Sequence, residues 1–125
     1  MDDQEVRFSE EHVWVLDMGD CARVGLSDYA QEQLGEIVAF TGAEVGLLLE
    51  PGDPLGEVES QKTVVELSSP ITGTVRAVNE AVNEDPSIIN VDPYGKGWLI
   101  EIELHDPSEI DHLMTADDYD EFNED

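Results

Sequence analysis

Residues 56–73, GEVESQKTVVELSSPITG, decide how this chain is read. Leu55 to Glu59 and Val64 to Leu67 are short strand-like runs separated by Ser60-Gln61-Lys62-Thr63, so they form a hairpin with Lys62 exposed at its tip. Ser69-Pro70-Ile71-Thr72-Gly73 makes the next turn and Thr74 to Val78 the next strand, in which Arg76 faces away from Val75 and Ala77. Lys62 is one of two lysines in a chain of 31 acids and five bases. A lysine amine held far from any pocket of its own chain suits a site that other proteins reach and modify. An ordinary solvated turn lysine is the alternative.

Upstream, His12 to Leu16 and Ala22 to Leu26 read as strands around the turn Asp17-Met18-Gly19-Asp20. Ser27 stands at a helix N-cap, Tyr29, Ala30 and Leu34 give that helix an inner face, and Gly35 ends it. Ile37 to Phe40 and Val45 to Leu49 are further apolar runs before the breaker Glu50-Pro51-Gly52-Asp53-Pro54. Residues 51–59 (PGDPLGEVE) and 70–78 (PITGTVRAV) echo each other on either side of the hairpin tip.

Downstream, Asn79 to Asp85 reads as a turn or short helical segment before Pro86. Trp98, Ile100, Ile102 and Leu104 alternate with Leu99, Glu101 and Glu103 as a half-buried strand. After Pro107, Ser108 is placed to cap a last helix with Asp111 at the capping-box position and Ile110, Leu113 and Met114 as its apolar stripe. Residues 117–125, DDYDEFNED, hold six acids in nine and read as a solvated tail. The fold expected is mainly β, a flattened barrel or sandwich of short antiparallel strands with one short internal helix and a C-terminal helix. One domain over residues 1–116 and an acidic tail over 117–125 are expected.

The net charge of −26 repels nucleic acid and anionic membranes, which excludes both as partners. Acids spread along the whole chain suggest a host adapted to high salt; a basic partner is the alternative. Cys21 is alone, so no disulfide forms within the chain, and neither the N-terminus nor any apolar run reads as a leader or a membrane span. A soluble, cytoplasmic monomer is expected. His12, His105 and His112 are scattered, no metal site is expected, and no Walker loop, GxGxxG, GxSxG or HExxH occurs. The chain looks unequipped to be an enzyme.

Over nearly its full length the sequence resembles the lipoyl carrier proteins of the glycine cleavage system, the H-proteins. Their motif Glu-Ser-Val-Lys-Ala-x-Ser-Asp is met by Glu59-Ser60-Gln61-Lys62-Thr63-Val64-Val65-Glu66, and their trailing Pro-x-Ser-Gly by Pro70-Ile71-Thr72-Gly73. His12-Val13-Trp14, VGLSDYAQEQLGEIV at 24–38 and INVDPYGKGWLIEIE at 89–103 match three further family segments in order. The resemblance implies a lipoyl-domain fold (a single hybrid motif) and lipoate in amide linkage to Lys62, as N6-lipoyl-lysine. It also implies a swinging arm that shuttles an intermediate between partner enzymes. Glu59 is implied as a recognition residue for lipoate-attaching enzymes, Gly73 as the turn that presents the hairpin, and Glu66 and His12 as cleft residues.

Glycine-cleaving members park an aminomethyl amine among acids, one lying between the His and Trp of the first strand and one four places after the lysine. Here those positions hold Val13 and Glu66, and Thr63-Val64-Val65 replaces the family's Ala-x-Ser. The reading therefore leans to the related lipoate-binding proteins of heterodisulfide-reductase-like sulfur oxidation, whose load needs no parked cation. A glycine cleavage H-protein, working with the glycine cleavage enzymes and dihydrolipoyl dehydrogenase, stands beside it. An unmodified interaction protein is the third reading.

Overall fold

A computed structural model of the chain describes residues 6–123. The first hairpins form as their alternation requires. Strands β1 (Val6–Phe8), β2 (Val13–Asp17) and β3 (Cys21–Leu26) run antiparallel, with β2 and β3 joined through the expected Met18-Gly19 turn. Helix α1 (Asp28–Leu34) begins on Ser27, whose side chain accepts from the Ala30 N–H, and ends on Gly35 at φ 82°, a left-handed value that glycine adopts without strain. Then come β4 (Ile37–Gly42), the two-residue β5 (Leu48–Leu49), β6 (Pro54–Ser60), β7 (Val64–Ser68) and β8 (Gly73–Val78). Short helices α2 (Glu80–Glu84) and α3 (Ile88–Val91) lead to β9 (Ile100–Leu104).

The strands make two antiparallel sheets, β1-β2-β3-β9-β8-β5 and β4-β6-β7. Between them lies the core, in which Val13, Val15 and Ile100 from one sheet meet Val58, Leu67 and Phe40 from the other. The echoing segments part company here. The strand from 51–59 is the centre of the smaller sheet, and that from 70–78 belongs to the larger.

Strand β2 is buried on both faces. Val13 and Val15 point into the main core, whereas Trp14 joins Val6, Phe8 and Tyr119 in a second cluster on the opposite side, with its indole N–H donating to the Pro93 carbonyl at 2.9 Å. That second cluster corrects the expected C-terminus. The segment after Pro107 is a 3₁₀ helix (Pro107–His112) capped by Asp106, not an α-helix capped by Ser108, because the Asp106 carboxylate accepts both the Ser108 N–H and hydroxyl. The α-helix comes later, as α4 (Ala116–Asn123), over residues read from sequence as tail. Tyr119 explains it: the ring is 3% exposed and stacks on Phe8 with centroids 4.2 Å apart. Residues 124 and 125 of that expected tail lie outside the described residues.

The arginines are taken up by the fold. Arg7 donates to the Asp111 and Leu113 carbonyls, Arg23 pairs with Glu101 at 3.0 Å over the Trp98 ring, and Arg76 reaches Glu101 and Asp20. Lys62 sits apart from these pairs, at the far end of the β6–β7 finger.

Candidate functional site

The tip of the finger is a tight turn built on one buried hydroxyl. Ser60, 5% exposed, accepts at Oγ from the N–H groups of Lys62 (3.1 Å) and Thr63 (3.2 Å), and its own N–H donates to the Thr63 carbonyl at 2.8 Å. Gln61 fastens the turn to the chain beyond α1. Its N–H donates to the Glu36 carbonyl and its side-chain amide to the Glu36 carboxylate, both at 3.2 Å. Lys62 is exposed, and its ammonium donates to the Gln33 carbonyl at 3.2 Å. Carbonyls in the last turn of a helix lack intrahelical partners and attract a cation, which accounts for that pose.

Gln33 also lies on the rim of a groove of about 150 Å³ lined by Glu11, His12, Leu26, Tyr29, Ala30, Leu34, Val65 and Leu67. A medium-chain acyl group on the Lys62 amine would begin at this rim. The walls beyond are mostly apolar, from Leu26, Ala30, Leu34, Val65 and Leu67, so lipoate fits the residues present. The amide left on Nζ would lose the charge and keep one N–H to donate.

Of the residues singled out from sequence, His12 lines this groove, at φ 73° and with Nδ1 2.6 Å from the Tyr119 hydroxyl. Burial lowers its pKa from the ordinary 6.5. Glu66 does not line the groove. It is exposed, opposite Glu57 in the β6–β7 register, while its neighbours Val65 and Leu67 turn to the groove, because successive residues of a strand face opposite ways. Glu59 stands on that same open outer face, opposite Val64.

Gly73 is not near the tip. It opens β8 at the base of the finger, buried, where a Cβ would come within 2.2 Å of the Ile102 Cγ2 and 2.4 Å of the Glu103 carbonyl oxygen. Its absent side chain admits strand β9 and does not shape the presenting turn. Val13 is fully buried in the main core and brings no charge to the groove.

Sequence reasoning passed over Glu11, which adjoins His12 and is the one carboxylate on the groove wall among the described residues. It also passed over Ser27 and Tyr119 in a functional role, although the Tyr119 hydroxyl lies 2.6 Å from both Ser27 Oγ and His12 Nδ1. The spacing of Tyr119 and Phe122, one helical step apart inside an acid run, was the available signal for the latter.

Similarity to known proteins agrees with the geometry. The glycine cleavage H-protein family profile matches residues 6–125. The glycine cleavage system H protein of Geobacillus sp. (strain WCH70) is 49% identical over 118 residues, covering 94% of this chain and 93% of that protein. Its counterpart from Bacillus subtilis (strain 168) is 46% identical over 121 residues, covering 97% and 95%. The crystal structure of a glycine cleavage system H protein from Mycobacterium marinum superposes with a TM-score of 0.87 at 35% identity, covering 96% of this chain and 97% of that one. With sequence, fold and hairpin in agreement, the chain belongs to the glycine cleavage H-protein family, whose members are not enzymes but carriers with lipoate held covalently on a lysine.

Proposed function

We propose that Lys62 is the lipoyl attachment point and that the arm carries a glycine-derived one-carbon amine between the enzymes of the glycine cleavage system. The observation that carries this reading is the bond from the Lys62 amine to Gln33, a residue that also lines a mostly apolar groove whose one carboxylate among the described residues, Glu11, stands beside His12. Near-full-length relatives that bear the glycine cleavage name support the pathway. When bound, lipoate supplies a dithiolane that takes up and releases its load by thiol chemistry.

The chain's own residues do the rest. Ser60 and the Gln61–Glu36 pair fix the tip, so attaching enzymes meet a preformed turn with Glu59 open to them on the outer face. Leu26, Ala30, Leu34, Val65 and Leu67 exclude water from whatever folds back into the groove. Glu11 offers the acceptor that a cationic amine needs, in place of the acid that Val13 does not supply. Lipoate-attaching enzymes, glycine cleavage enzymes and dihydrolipoyl dehydrogenase are the partners, and the setting is the cytoplasm; no helix of the described residues is long and apolar enough to cross a membrane.

A second reading rests on Val13. Fully buried and uncharged, it leaves the position of a parking acid empty, which suits a sulfur load carried for a heterodisulfide-reductase-like complex. Incubating the lipoylated protein with glycine and the pyridoxal-dependent decarboxylase separates the two. Loading seen as a mass increment, with faster loss of the load in Glu11→Gln, supports the glycine reading. No increment overturns it in favour of the second.

A further inference from the structure

Behind the groove, polar groups from three separate parts of the chain converge. His12 Nδ1 lies 2.6 Å from the Tyr119 hydroxyl of α4, which lies 2.6 Å from Ser27 Oγ at the start of α1. The direction of these bonds follows from the proton count. Ser27 is fully buried, and its Oγ already accepts from the Ala30 N–H at 3.1 Å. Among the described residues Tyr119 is the hydrogen-bond partner left for its own hydroxyl hydrogen, so a satisfied Ser27 donates to Tyr119. The Asn123 side-chain amide also bonds the Tyr119 oxygen, in the donor sense that lowers the phenol's pKa, so the one Tyr119 proton goes to His12 Nδ1. That nitrogen is then the bare one, and the imidazole proton sits on Nε2.

We infer that Tyr119 is a positioning residue that fixes His12 as the Nε2–H tautomer, so that the groove meets an N–H donor beside the Glu11 carboxylate. Two observations agree. Burial lowers the His12 pKa and raises that of Tyr119, so at neutral pH the ring is neutral and the phenol keeps the proton it donates. His12 also holds φ 73°, an uncommon conformation outside glycine, which a ring bound at a set angle helps to hold. Among the described residues no protein group is paired with Nε2, and His12 lines the groove.

Donor and acceptor side by side suit an occupant with a cationic group and an acceptor atom, such as the carbonyl of an amide-linked arm. This statement about the occupant rests on the carrier reading above; the tautomer does not. The test therefore uses the full, unmodified chain: long-range proton–nitrogen NMR of the histidine rings above their titration, with Tyr119→Phe beside it. The phenyl ring keeps the stack on Phe8. We expect a single Nε2–H form of His12 in the wild type and its loss to a mixture in Tyr119→Phe, with the remaining amide spectrum retained.

Wild-type His12 protonated at Nδ1, or a variant with unchanged tautomer, would overturn the inference. Should the variant not fold, a cross-hydrogen-bond coupling between the Tyr119 hydroxyl proton and His12 Nδ1 in the wild type decides, and its absence counts against the relay. Failure to accept lipoate, read separately by mass, bears on the carrier reading alone.

Discussion

Glu11 and His12 are adjacent in sequence, line one groove wall and differ in chemistry, which makes them separable by single substitutions. If Glu11 holds a cationic load, Glu11→Gln should speed its loss by roughly tenfold, the size of one charge-assisted hydrogen bond of about 1.5 kcal/mol. Mass spectrometry of the loaded protein against time reads this, and the variant's stability should stay within about 0.5 kcal/mol, since Glu11 is exposed. For His12 the expectation concerns pH. Its folded pKa lies below the ordinary 6.5, so the folded chain binds fewer protons than the unfolded one in the interval between the two values. The contribution to stability is therefore full above about pH 6.5 and is lost as pH falls through the folded value. A ring-proton titration should place the His12 midpoint below 6.5 while Glu11, Tyr29, Phe122 and Tyr119 surround the ring.

At the scale of elements, the finger divides into an exposed tip and a packed base. Gly73→Ala tests the division. A Cβ there meets a core side chain and a backbone carbonyl, so denaturant unfolding should show a loss of about 1–3 kcal/mol. The extent of lipoylation by an attaching enzyme should be unchanged, because the tip is bonded through Ser60 and Glu36 and not through Gly73. Helix α4 carries a separate expectation. Tyr119→Ala removes a buried ring that stacks on Phe8 and should cost about 3 kcal/mol or more by the same measurement.

The hairpin, its turn residues and the capped helix α1 were legible in the sequence, because period-two alternation and turn chemistry act over a few residues. Helix α4 was not. Its acids outnumber its apolar residues, and the reason it folds, the aromatic cluster with Phe8 and Trp14, joins positions more than a hundred residues apart. The groove was partly legible: Lys62 and His12 were named from motifs, whereas Glu11 and Tyr119 needed the chain to be folded. Glu66 shows the converse, since the family resemblance implied a cleft residue there and the strand's pleat turns it outward.

For the whole molecule, a charge of −26 on 125 residues leaves many carboxylates facing one another with few cations between. Screening shortens their reach from about 10 Å at 0.1 M salt to about 3 Å at 1 M. Thermal unfolding should therefore shift upward with added potassium chloride over that range, and a midpoint that is flat or falls would count against repulsion as the dominant surface effect. The same charge makes Lys62 stand out, since its lipoylation would neutralise one of five bases. The carrier role turns on that residue. Intact mass after incubation with lipoate, ATP and a lipoate ligase should show one lipoyl increment on the wild type and none on Lys62→Arg, which retains Lys96 as an internal control. No increment on the wild type, or an undiminished one on Lys62→Arg, would contradict it.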